Sequence, residues 1–107
     1  MSDQILADLA STIRSRRTAA SDKSYTKKLL DSGPEYCARK LGEEAVEAVI
    51  AAISGSQDEL KAEAADLLYH LLVLLEVRDV SLDEVLAVLD KRTSQSGLEE
   101  KAARSQS

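Results

Sequence analysis

The chain has 107 residues, 14 Lys and Arg against 19 Asp and Glu, and a formal net charge of −5. With 44% apolar and 31% charged residues it has the balance of one folded domain with a modest core, not of a disordered chain. The acidic excess argues against general nucleic-acid binding, and four Gly, one Pro and three aromatics, all Tyr, argue against a many-stranded β fold.

Ile5, Leu6, Leu9 and Ile13 recur at helical spacing and predict a first helix over residues 4–16. Residues 17–24, RTAASDKS, have little apolar content and read as a loop. Six cations fall between Arg14 and Lys28, against the single acid Asp22. A short helix is expected over 25–30, stopped by Asp31-Ser32-Gly33-Pro34. A long helical pattern covers 35–53 and ends at Ser54-Gly55. Ser56-x-x-Glu59 then has the form of a capping box and opens a second long helix reaching about Val77. A second such box, Ser81-x-x-Glu84, opens a last helix carrying Leu82, Val85, Leu86 and Leu89. The tail from 93 to 107 has few apolar residues and is expected to be flexible. No repeat or linker divides the chain, so 1–107 reads as a single domain. The fold class is all-α: an antiparallel bundle of four to five helices with two long central ones.

The longest apolar run, from Leu67 to Leu75, contains His70 and is far shorter than the ~20 residues a bilayer requires. No signal-peptide pattern opens the chain and its one cysteine, Cys37, cannot close an intrachain disulfide. A reducing cytoplasmic setting, no membrane partner and a passive Cys37 thiol are therefore expected.

The charged residues with most to say are acids. On the first long helix Glu43, Glu44 and Glu47 lie three and four apart and share a face, with Lys40 between them on the helical wheel. Leu41, Ala45, Val49 and Ile53 take the other side. Taken alone this reads as a solvated surface. The next helix changes the reading. It is apolar nearly all round from Leu67 to Leu75, yet Glu59, Glu63, Asp66 and His70 form one stripe along it. Acids leading into a buried helix are costly unless compensated, and two such helices side by side would repel. A hard divalent cation, Mg²⁺ above all, resolves the conflict and suits a phosphate-bearing substrate. A di-iron site is disfavoured, because position 67, three before the only His, is Leu rather than Glu. Zinc is disfavoured by the single Cys and single His. His70, four after Asp66, has two readings: a residue that touches the site, or, the preferred one, a neutral histidine satisfied within the bundle.

The pattern Glu43-Glu44-x-x-Glu47 followed by Glu63-x-x-Asp66 resembles the metal signature of the MazG-like all-α NTP pyrophosphatases. Within that superfamily SYTKKL around Tyr25, EAADLLYH from Glu63 to His70 and the tail SGLEEKA resemble the phosphoribosyl-ATP pyrophosphohydrolases. The resemblance covers residues 5–104. It implies an ATP-binding, Mg²⁺-dependent hydrolase (Mn²⁺ substituting) that cleaves phosphoribosyl-ATP to phosphoribosyl-AMP and pyrophosphate, the second step of histidine biosynthesis. It also implies a homodimer, and a form separate from the cyclohydrolase to which some members are fused. Carried onto this chain, Glu43, Glu47, Glu63 and Asp66 are the expected metal ligands. Glu44 is a further ligand or the base that orients water, with Glu44 and Glu47 the expected catalytic pair. Lys40, Lys27, Lys28 and Arg17 are expected on the substrate phosphates, with Ser24, Tyr25 and Thr26 as hydrogen-bond donors. Two other readings compete: a house-cleaning pyrophosphatase of non-standard nucleoside triphosphates, and a non-catalytic helical module with merely exposed acids.

Overall fold

A computed structural model describes residues 2–20 and 24–93. Five helices follow one another: α1 (Ser2–Ser15), α2 (Tyr25–Ser32), α3 (Pro34–Ser54), α4 (Gln57–Val77) and α5 (Leu82–Thr93). The described residues contain no strand. The all-α bundle with two long central helices is the fold that the periodicity predicts. The expected flexible tail lies, Thr93 apart, outside the described residues. Where a loop is expected after α1, the chain first makes a 3₁₀ turn at Arg16–Thr18.

Local chemistry sets the boundaries. Ser24 caps α2, its Oγ accepting from the Lys27 amide at 3.1 Å. Gly33 sits at φ +90°, ψ 171°, a conformation open almost only to glycine, and lets α2 stop and α3 start within one residue. Pro34 then occupies the first turn of α3, where its missing N–H costs nothing. At the other end of α3 a side chain on Gly55 would come within 3.0 Å of the Ala51 carbonyl oxygen. A side chain there requires that carbonyl to give by a few tenths of an ångström. Ser56 and Glu59 form the expected capping box, each side chain accepting from the other's backbone N–H at 3.1 Å. Ser81 and Glu84 repeat the exchange at the start of α5.

The tight Gly55-Ser56 connection folds α4 back along α3 as an antiparallel pair. The beginning of α3 therefore lies beside the end of α4, and the core sits there. Ile13 of α1, Leu29 of α2, Cys37 of α3 and Leu72 and Val73 of α4 are almost fully buried together. The Cys37 thiol donates to the Leu29 carbonyl at 3.1 Å, and burial pushes its pKa up, which suits a packing role rather than a nucleophile.

Arg17 ties the end of α1 to the end of α4. Its guanidinium binds the Glu76 carboxylate and backbone carbonyl, and reaches Asp79 Oδ1 at 3.0 Å.

The hairpin outruns the core. Leu41 and Ala45 are half-buried, but Val49 is 57% and Ile53 81% exposed. The apolar side of α3 leaves the core after its first half, because no other described helix extends far enough to cover it. Val46 and Ile50 continue the stripe, and Leu68 and Leu71 are exposed on α4, so that helix is not buried on all sides within one chain.

Candidate active site

Antiparallel pairing brings the two acidic clusters opposite each other, Glu47 near Glu63 and Glu44 near Asp66. One carboxylate oxygen from each of Glu44, Glu63 and Asp66 lies within 4.8 Å of the other two. Glu47 joins them, its carboxyl acting on both Glu44 and Glu63. Desolvation, and after it the Glu47 carboxyl, raises the pKa of Glu44 and of Glu63 above the ordinary value. Glu44 and Glu63 are half-buried, and Oε2 of each is shielded from solvent without a hydrogen-bond partner among the described residues.

Shielded, crowded, unpartnered oxygens of one charge sign are costly. No cation among the described side chains reaches Glu44 Oε2 or Glu63 Oε2. All-oxygen donors at this spacing fit a hard divalent cation, and the orphaned oxygens are the groups that it would satisfy.

The comparisons identify the family. A family model described as phosphoribosyl-ATP pyrophosphohydrolase matches residues 6–93. A protein of Bradyrhizobium diazoefficiens named phosphoribosyl-ATP pyrophosphatase 1 is 62% identical over 97 residues, 91% of this chain and 92% of its own. One of the same name from Rhodopseudomonas palustris is 59% identical over 99 residues, 92% of either chain. The phosphoribosyl-ATP pyrophosphatase of Ruegeria pomeroyi is 58% identical over 100 residues, 94% of this chain and 95% of its own. The chain belongs to the phosphoribosyl-ATP pyrophosphohydrolase family.

The other residues that the family resemblance singles out divide by position. Glu43 stands outside the group of three, its Oε1 3.4 Å from Lys40 Nζ at the rim of α3. The Glu43 carboxylate, followed by the nearby Tyr25 and Tyr36, raises the Lys40 pKa, so Lys40 is a secure cation beside the cluster. Lys27 is paired with Asp31 at 2.8 Å along α2, and Lys28 is exposed on the same helix. Arg17 belongs to the clamp on Glu76, ten residues and about 15 Å along α4 from Asp66.

Tyr25 and Thr26 do meet the site's helix, whereas the Ser24 hydroxyl is spent on capping α2. Thr26 Oγ1 lies 2.6 Å from the Tyr69 hydroxyl, and the Tyr25 ring stacks against Tyr69 with centroids 6.5 Å apart. Tyr69 is the residue that sequence reasoning missed as an organiser. It precedes His70 and joins α2 to α4 one turn from Asp66. The partners are 43 residues apart in sequence, so no local pattern signals the contact.

Proposed function

We propose that this chain hydrolyses phosphoribosyl-ATP to phosphoribosyl-AMP and pyrophosphate, the second step of histidine biosynthesis, in the cytoplasm and with Mg²⁺. The observation that carries the proposal is the convergence of Glu44, Glu63 and Asp66 within 4.8 Å, two of them with an orphaned oxygen. The family and its named relatives supply the substrate.

Glu47, Glu63 and Asp66 would hold the cation, with Glu43 at the rim beside Lys40. When bound, the ion neutralises the cluster, offsets charge on the phosphates and makes water easier to deprotonate. Glu44 reaches the cluster from the α3 side and serves as the base. It takes a proton from water as the water oxygen bonds to the α-phosphorus. The α–β phosphoanhydride bond breaks and pyrophosphate leaves with the bonding electron pair. Lys40, with Lys27 and Lys28 at the edge, holds phosphate oxygens, and the hydroxyls of α2's first turn orient the substrate.

We also propose a homodimer. Its support is the stripe of Val46, Val49, Ile50 and Ile53, apolar and more than half exposed along α3 beside the acidic site.

The test is pyrophosphate release from phosphoribosyl-ATP with Mg²⁺, expected in the native chain and abolished in Glu47→Gln. Strong turnover of dUTP or oxidised nucleoside triphosphates with none of phosphoribosyl-ATP would transfer the chain to the house-cleaning reading, which the named relatives do not favour.

A further inference from the structure

Three side-chain atoms among the described residues are shielded from solvent with no hydrogen-bond partner: Glu44 Oε2, Glu63 Oε2 and His70 Nε2. The two oxygens belong to the carboxylate cluster. The nitrogen belongs to a histidine that is 7% exposed and lies one turn beyond Asp66 on α4.

The imidazole is fixed at its other nitrogen. Nδ1 lies 2.9 Å from the Asp66 carbonyl oxygen. A carbonyl only accepts, so Nδ1 carries the hydrogen. In the uncharged ring Nε2 is then a bare lone pair without a partner. Tyr69 meets the ring edge-on, with centroids 5.0 Å apart, and limits its rotation. Asp66, whose carbonyl holds the ring, also brings its carboxylate to Glu44, so ring and carboxylates share one site.

An ionised Glu44 oxygen and an uncharged Nε2 are both acceptors. No hydrogen bond joins two acceptors directly. A molecule with two donor hydrogens satisfies both at once, and water is the smallest one.

We propose that His70 is a positioning residue: its Nε2 accepts one hydrogen of the attacking water while Glu44 accepts the other. With both hydrogens held, the water oxygen turns its lone pairs towards the substrate phosphorus. Glu44 takes the proton; His70 fixes the direction of attack. This role rests on the proposed hydrolysis but adds a residue that the acidic pattern does not contain.

His70 is the only histidine in the chain, so an untagged protein gives one set of imidazole signals. Nitrogen-15 NMR of the metal-free chain is expected to show a protonated Nδ1 and a bare Nε2. Mn²⁺ is expected to broaden those signals at low occupancy, and Glu44→Gln to move the Nε2 resonance. An Nε2–H tautomer, or signals indifferent to Mn²⁺, would overturn the proposal whatever the substrate.

Two variants then separate positioning from packing. Asn at 70 retains a group near the Nδ1 position and removes Nε2; Gln extends an amide to about the Nε2 position. His70→Asn is expected to lose about ten- to a hundred-fold in kcat, the range typical of supporting groups at metal sites, with KM and melting temperature little changed. His70→Gln is expected to recover part of that loss. The opposite ranking, with Asn active and Gln not, would assign His70 to the Asp66 carbonyl alone. If the native chain left phosphoribosyl-ATP untouched, the functional proposal would fall while the NMR result still stood.

Discussion

At the scale of single residues the site is a trade of stability for chemistry. Glu44 and Glu63 are held above the ordinary carboxylate value of 4.5 by desolvation and by Glu47. Between that value and their raised ones, the metal-free native chain keeps protons that the unfolded chain has released. The contribution of these groups to stability therefore falls as pH rises through that interval, and it is least favourable once both are ionised. Replacing Glu63 with Gln removes its share. Metal-free Glu63→Gln is expected to melt above the native chain at neutral pH, the gap closing as pH falls towards 4.5. A gap independent of pH, followed by calorimetry in chelator, would contradict this. Mg²⁺ is expected to reverse the order, stabilising the native chain and not the variant, and to bind more weakly as protons compete at low pH. The acids were legible in the sequence because their spacing on a helix is local. The pairing of Thr26 with Tyr69 and of Arg17 with Glu76 was not, because each joins residues more than forty apart.

At the scale of elements, helix boundaries came through almost unchanged because their signals are short-range chemistry: Ser24, Gly33-Pro34, Gly55, and two Ser-x-x-Glu boxes. What spacing alone missed was the reach of the core. The stripe of Leu41, Ala45, Val49 and Ile53 is regular, but the helices that cover its first half end before its second. The two glycines at the ends of α3 give direct tests. Gly33→Ala forces a side chain into a region that only glycine occupies easily, at about 1–3 kcal/mol. Gly55→Ala meets the Ala51 carbonyl. Each is expected to lower the melting temperature by several degrees, at roughly 4–8 °C per kcal/mol for a domain of this size, and a neutral result at Gly33 would mean that the α2–α3 junction is relaxed in solution. Arg17→Ala is expected to lower the melting temperature with KM unchanged; a raised KM would place that guanidinium on the substrate.

At the scale of the whole molecule, the radius of gyration is 16.1 Å, against about 13 Å for a compact domain of this length. The α3–α4 hairpin projects past the core with apolar residues on its flank. A double change, Ile50→Glu and Ile53→Glu, is expected to convert the proposed dimer to monomer in sedimentation; unchanged mass would exclude this stripe as the contact. No helix among the described residues is long and apolar enough to cross a membrane.

The single thiol offers a clock for that architecture. Cys37 is 1% exposed where α1, α2, α3 and α4 meet, and the same α4 carries His70 within one turn of that core and Asp66 about two turns away. A disulfide reagent reacts with it only in the instants when those helices part. Its labelling rate in the untouched enzyme is thus a count of openings per hour. The slowing of that rate by Mg²⁺ would measure, without any probe attached at the site, how firmly a bound ion bolts the core shut.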